Sequence, residues 1–219
     1  HKAVGDVSPF YLYSKTSAVN IYNHNPNAKI IIILRNPVDR AFSHYLHLRR
    51  AQREPFNSFY KAVKAETHRI KDGWFWDYHY LSMGIYRPQL ARYFNIFPAE
   101  NIRLFSFSYL TKNLPSFLKD IFRFLDVNHN FTPPIGKKYN VSLSPKNAYI
   151  GKVFDTDNIL KKLFNKLMSK NTKYFLKKYV YNTLYVRPSI DPNLKIALLK
   201  FYSQDIQNIE ISYKFKFKF

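Results

Sequence analysis

The stretch IIIILRNPVDRAFSHY, Ile30 to Tyr45, constrains this chain more than any other part of it. Its first five residues, Ile30 to Leu34, are apolar without interruption. Alternation would mean a strand with one wet face. An unbroken run predicts a strand buried on both faces, as in a parallel sheet. The run stops on Arg35, and Asn36-Pro37 follow. Proline suits the first turn of a helix, where the N–H it lacks would have no helical partner, so a helix is predicted from Pro37 to about Arg50. A buried parallel strand feeding a helix leaves its last residue at the carboxyl edge of the sheet, where open α/β folds bind ligands. The helix would turn free N–H groups and the positive end of its dipole toward the same crevice. Arg35 offers a fork of donors suited to a phosphate, and Ser43, eight positions on, offers a hydroxyl. The two read as an anion clamp. The plainer reading is that Arg35 pairs with a surface carboxylate while Ser43 faces water.

The other segments build around this unit. Val7–Leu12 reads as a turn or strand edge and Ser14–Asn23 as a short helix, with a loop of Asn and Pro from Asn23 to Lys29. Helices are predicted at Phe56–Lys71 and Ile85–Phe97, the latter stopped near Pro98, with an aromatic loop, DGWFWDYHYL, between them. Asn101–Phe107 alternates and predicts a second strand. Leu114–Leu125 is amphipathic, with Phe117, Leu118, Ile121, Phe122 and Leu125 on one face. A long loop, Asn128–Pro145, precedes a very basic helical stretch, Val153–Tyr181, and a last helix runs from Asp191-Pro192 to about Ile209. The closing YKFKFKF alternates and suits a strand with one apolar face or a frayed end. Strand–helix–strand order predicts an α/β domain whose parallel sheet is flanked by helices.

Composition limits the partners. The formal net charge is +21, which favours anionic ones: nucleic acid, acidic glycan, a membrane surface or a phosphate-rich ligand. With no cysteine there is no disulfide scaffold, zinc–cysteine site or cysteine nucleophile. No apolar run reaches membrane-spanning length. His44 and His47 have the spacing of a helical metal pair, but no third ligand accompanies them, so no metal site is expected. Trp74, Phe75, Trp76 and Tyr78 read as aromatic core or as a platform for sugar rings.

These residues carry a resemblance. LRNPVDRAFSHY resembles the 3′-phosphate motif of sulfotransferases that use 3′-phosphoadenosine 5′-phosphosulfate (PAPS), in which an Arg and a Ser eight residues later grip the nucleotide's 3′-phosphate. GDVSPFYL is similar to the G-E-x-S/T-P-x-Y-L segment of bacterial and heparan-sulfate-type carbohydrate sulfotransferases. LSMGIYRPQLARYFNIFPAENIRLFSF resembles their helix and following strand, YNVSLSPK their region near the nucleotide loop, and DPNLKIALLKFYSQDIQNIE their C-terminal helix. The resemblance implies a nucleotide-kinase-like (P-loop NTPase-like) sulfotransferase fold occupying residues 1–219 as a single domain. It implies PAPS as co-substrate, no metal, and transfer of a sulfuryl group to a hydroxyl or amine of a carbohydrate or glycolipid. Asp6 falls on the position of the presumed general base, one methylene shorter than the usual Glu; its other reading is a turn-capping aspartate before Ser8-Pro9. Arg35 and Ser43 would bind the 3′-phosphate. Lys137 and Lys138, with Lys146, would cover the adenine or the phosphates, unless they form a solvated basic loop. Arg40 is expected to brace the helix or pair with an acid rather than touch ligand.

The pattern also departs from the family. The phosphate loop that cradles the 5′-phosphosulfate lies upstream of the G-E-x-S/T-P segment, where only five residues precede Asp6. The family's Y-E-D-L after the second matching strand is FSYL here, Phe107 to Leu110, without an acid. The expectation is therefore a fragment or a degenerate paralogue, weakly active or inactive by itself. It would be cytoplasmic if bacterial, or Golgi-lumenal if eukaryotic with an anchor upstream. The competing reading is a non-catalytic basic module for nucleic acid or acidic glycan. Nucleic acid is not expected, because no RNP or zinc-finger pattern accompanies the charge.

Overall fold

A computed structural model describes residues 4–131, 133, 144–145, 185–186 and 188–217. These fall into two compact units. The first holds 4–41, 79–131, 133 and 195–217; the second holds 42–78, 144–145, 185–186 and 188–194.

The first unit is built on two parallel strands, β1 (Ile30–Leu34) and β2 (Ile102–Ser106), in register from Ile30↔Ile102 to Leu34↔Ser106. β1 is less buried than its composition predicts. Ile32 and Leu34 are covered, but Ile33 between them is 41% exposed. Successive side chains of a strand point to opposite faces, so one face of β1 is packed and the other is partly open. α1 (Ser17–His24) precedes β1, its entry held by the Ser14 hydroxyl, which accepts from the Thr16 and Ser17 amides. α4 (Arg87–Phe94) is shorter at both ends than the apolar pattern predicts; at its start Gln89 spends its side-chain amide on the carbonyls of Ser82, Met83 and Ile85 and holds a separate 3-10 turn, Ser82–Gly84, ahead of the helix. α5 (Phe107–Lys112), not foreseen in the sequence, starts directly at the end of β2, with the Ser106 hydroxyl accepting from the Tyr109 amide as its cap. α6 (Leu114–Phe124) begins on an Asn113 cap and buries Phe117 against Phe105 and Tyr109.

The second unit carries α3 (Phe59–Lys71), started by the Ser58 hydroxyl, which accepts from the Lys61 amide. Phe59, Ala62, Glu66 and Arg69 form its buried stripe. A short antiparallel pair, β3 (Ser144–Pro145) with β4 (Tyr185–Val186), belongs to the same unit. Two helices begin in one unit and end in the other: α2 (Pro37–Arg50) and α7 (Pro192–Ser212).

Beyond α7, the alternation of YKFKFKF buries Phe215 and Phe217 as expected, but not on a strand. Lys214 adopts a left-handed φ of 49° and the Phe217 amide donates to Glu210 Oε1 at 3.1 Å. The amide is thereby tied to a side chain of α7 instead of a sheet partner.

Candidate functional site

The register of β1 and β2 places Arg35 and Phe107 one step beyond the last strand pair, Leu34↔Ser106. The Arg35 guanidinium accordingly lies over the Phe107 ring, 5.0 Å from its centroid. The backbone of Arg35 is held separately: the Tyr86 hydroxyl donates to its carbonyl at 3.1 Å. Tyr86 is itself fixed from two sides. Its ring stacks on Phe217, and its amide donates to Asp205 Oδ2 on α7 at 2.8 Å. Burial raises the Tyr86 hydroxyl above the usual phenol range, so it stays protonated and remains a donor. Arg35 thus stands at the carboxyl edge of the two-stranded sheet, with its main chain and side chain each anchored.

The helix that follows differs from the expectation in one chemical respect. Asn36 caps α2 with its own side chain, accepting from the Val38 amide at 2.9 Å and the Asp39 amide at 3.2 Å. The Arg40 amide donates to the Asn36 carbonyl, and Pro37 has no N–H. The N–H groups of this helix start are therefore already used, and they do not form the anion cradle predicted for them. What the edge offers an anion is the Arg35 guanidinium and the helix dipole.

The turn is also tightly backed. A Cβ on Gly84 would sit 2.6 Å from the Tyr202 hydroxyl oxygen and 3.0 Å from Pro37 Cβ. Tyr202 is fully buried and donates to the Leu81 carbonyl at 2.9 Å. Glycine is required there for space.

Ser43 lies in the part of α2 that belongs to the second unit and is half-buried. Arg40 braces, as expected, but against the main chain: its guanidinium donates to the Tyr80 carbonyl, and its buried Nε meets no partner among the described residues. Lys137, Lys138 and Lys146, like the basic stretch 153–181, lie outside the described residues.

Asp6 is exposed, and both of its oxygens are engaged. Oδ1 accepts from the Val7 amide at 2.8 Å and Oδ2 from the Tyr11 hydroxyl. The Tyr11 bond, then the Val7 bond, hold its carboxyl below the usual carboxylate range. The turn that follows it, residues 9–13, is secured by α4: Arg92 donates to the carbonyls of Leu12 and Tyr13, each at 3.0 Å, and the Tyr93 hydroxyl donates to the Tyr11 carbonyl. Tyr13 reaches His79, its hydroxyl 2.8 Å from Nδ1, while the buried Nε2 of that ring has no partner among the described residues.

In the second unit, His44 Nε2 lies 3.9 Å from Asp77 Oδ1, and Asp77 also receives the Arg53 guanidinium. No group of His, Asp and Glu with metal-holding geometry occurs among the described residues. A cavity of about 310 Å³ in this unit, walled by Tyr45, Arg49, Ser58, Tyr60 and Asp191 among others, contains none of the predicted site residues.

Sequence reasoning missed Phe107, Tyr86, Asn36, Tyr11 and Asp205. The Asn36-Pro37 pair carried a cap signal that could have been read. Phe107 follows from the register once the two strands are paired. Nothing local points to Tyr86, which acts from 51 residues away.

The sulfotransferase domain family matches residues 14–147, more than half of the chain. Heparan sulfate glucosamine 3-O-sulfotransferase 5 of Mus musculus is 24% identical over 200 residues, 89% of this chain and 50% of that protein, and its Homo sapiens counterpart matches to the same extent. The chain thus spans about half the length of these relatives. The membrane-associated sulfotransferase kil1 of Dictyostelium discoideum is 39% identical over 44 residues, 20% of this chain and 9% of that protein. Among solved structures, a sulfotransferase from Alicyclobacillus acidocaldarius superposes with a TM-score of 0.70 at 27% identity, covering 96% of this chain and 64% of its own.

Proposed function

Because this chain belongs to the sulfotransferase domain family, we propose that it binds PAPS and serves transfer of its sulfuryl group to a hydroxyl or amine of a carbohydrate or glycolipid acceptor. The observation that carries the reading is the placement of Arg35, one residue past a parallel strand, main chain tied to Tyr86 and guanidinium laid over Phe107. A guanidinium held so is pre-organised for a dianionic phosphate. The carbohydrate class rests on the named relatives. Ser43 is proposed as a second ligand of the same phosphate, and Lys137 and Lys138 as further nucleotide contacts.

In the transfer, the acceptor oxygen attacks sulfur, its proton passes to a base, and adenosine 3′,5′-bisphosphate leaves. Asp6 is the proposed base. It must come within hydrogen-bond reach of the proton it takes, and each of its oxygens can accept a second bond beside the one it holds. Tyr11 then serves as the latch that keeps the carboxylate ionised between turnovers.

Calorimetry with adenosine 3′,5′-bisphosphate tests the reading. Arg35→Ala should weaken binding by about 10- to 100-fold, the loss of a charge-assisted bond worth about 1.5–3 kcal/mol. Ser43→Ala should cost less than Arg35→Ala, since a hydroxyl brings one donor and no charge to the phosphate where the guanidinium brings several donors and a charge. The affinity should distinguish the 3′-phosphorylated nucleotide from adenosine 5′-monophosphate. Equal affinity for the two, with binding that collapses steeply as salt is raised, would identify a general polyanion binder instead.

A further inference from the structure

The loop after α3 exposes aromatic side chains that its own backbone holds outward. Gly73 takes the left-handed φ of 72°, its amide donating to the Ile70 carbonyl, and the Trp74 amide donates to the Arg69 carbonyl at 2.8 Å. This is a helix stop that needs glycine at that one position, and it delivers Trp74, Phe75 and Trp76 in succession. Behind them lies a rigid footing. Arg69 pairs with Glu54 through two bonds of 2.7 and 2.8 Å, both side chains buried, and its guanidinium is flanked by the rings of Trp74, Tyr78 and Phe56 at 4.9–5.1 Å. Phe75 and Trp76 stack on each other at 6.0 Å. Yet Phe75 is 58% exposed, Ile70 41%, Trp74 40% and Trp76 36%. Large apolar groups held at the surface on a built support mark a contact site.

Charge selects the partner. Of the acidic residues between 53 and 78, Glu54, Glu66 and Asp77 are buried and Asp72 is exposed. The lysines of the same stretch are exposed on α3, Lys61, Lys64 and Lys71, while Arg69 is buried with Glu54. A platform for sugar hydroxyls would bring polar acceptors to the surface beside its rings; here the carboxylates are mostly turned inward. Indole and phenyl groups flanked by lysines are the chemistry of the interface between water and lipid, where rings sit at headgroup depth and ammonium groups reach anionic phosphates. We propose that Ile70, Trp74, Phe75 and Trp76, with the lysines of α3, form a docking surface for an anionic lipid bilayer. The chain lies on the membrane there; no helix among the described residues is long and apolar enough to cross one. This surface goes beyond the sulfuryl-transfer reading and stands or falls separately from it.

The chain has two tryptophans, and both are in this loop. Their fluorescence therefore reports on the patch and on nothing else. On adding vesicles of phosphatidylcholine with phosphatidylserine, the emission of the full chain should shift to the blue, and lipids brominated along the acyl chains should quench it. Vesicles of phosphatidylcholine alone should do neither. Phe75→Ser, which keeps both tryptophans, should lose most of the vesicle-induced blue shift and most of the co-sedimentation while its far-ultraviolet circular dichroism stays that of the parent chain. Lys61→Gln/Lys64→Gln/Lys71→Gln should lose the preference for phosphatidylserine. Co-sedimentation without blue shift or bromine quenching would mean that the charge binds elsewhere and would overturn the proposal. So would an emission shift produced by a sulfated oligosaccharide and not by vesicles, which would make the patch a glycan platform.

Discussion

Among the described residues, the two units differ in how far their polar interiors rest on buried ion pairs. In the first, long side chains bind main-chain carbonyls: Arg92 those of Leu12 and Tyr13, Gln89 those of Ser82, Met83 and Ile85, Tyr86 that of Arg35, Tyr202 that of Leu81. The second uses such bonds too, from Tyr45 to the Phe56 carbonyl, Arg49 to that of Glu54 and Tyr78 to that of Arg53, and adds ion pairs on buried carboxylates: Glu54 with Arg69, and Asp77 with Arg53. The contrast has a physical reason. The first unit fixes several irregular segments around the end of a two-stranded sheet, and these leave carbonyls that are wholly or partly shielded from water; an unmet buried carbonyl costs about 1–3 kcal/mol. In the second, a bidentate ion pair flanked by the rings of Phe56, Trp74 and Tyr78 ties the segment before α3 to that helix. The first arrangement spreads its contribution over many modest bonds, whereas the second adds one concentrated contribution, the Glu54–Arg69 pair.

That difference can be broken most sharply at the pair. Arg69→Leu or Glu54→Leu leaves one buried charge alone and should cost about 3–5 kcal/mol, while the double replacement should regain most of it. Denaturant titration of the two single variants and the double variant measures this. If each single variant proves as mild as a surface substitution, the pair is not the keystone of the second unit. In the first unit, Gly84→Ala forces a Cβ into Tyr202 and Pro37. Overpacking of this kind costs about 1–3 kcal/mol. Because Pro37 opens the helix beside Arg35, the same variant should also weaken bisphosphate binding, which a mere loss of stability elsewhere would not do.

Smaller effects lie in titration. Asp205 is raised above the usual carboxylate range, chiefly by burial, against the lowering effect of the Tyr86 and Arg87 amides. A raised carboxyl favours the folded state below its unfolded value, about 3.9, and that contribution is lost as pH rises through the folded value. Asp205→Asn should remove this slope from unfolding midpoints measured across the carboxylate range. The smallest effect is expected at the surface. Tyr11→Phe should let the Asp6 carboxyl titrate upward toward its ordinary value, seen by NMR of labelled aspartate side chains, with little change in stability because the group is exposed. An unmoved Asp6 would remove Tyr11 from the proposed latch.

Much of the first unit was legible in the chain. The apolar run gave way to a helix at Pro37 as the proline and the change of periodicity predict, and α6 and α7 follow their apolar spacing closely. Arg35 stood out because it interrupts an unbroken apolar run. Other features failed to show for identifiable reasons. The Ile30–Leu34 run resembles a doubly buried strand, yet Ile33 is exposed; a run of apolar residues states what can be buried, not how many layers are there to cover it. The helix start was read as open to a ligand because its N–H groups were counted before Asn36 was given its capping role. The aromatic loop left core and platform both open, and the structure shows large rings standing out on a buried Arg69.

By itself, the order of residues determined the local events: where β1 stops, where α2, α3 and α6 start on Pro37, Ser58 and Asn113, and where Gly73 ends a helix. These depend on backbone sterics and on side chains a few positions away. It also set the excess of positive charge. Tertiary structure alone decided that Tyr86 holds the carbonyl of Arg35, that Glu54 meets Arg69, and that the acids near α3 turn inward while its lysines stay out. Periodicity says which face of an element is buried but not what that face meets. The meeting is settled only when the chain closes over separations such as the 51 residues between Arg35 and Tyr86, where the gain from pairing buried groups outweighs the entropy of bringing them together.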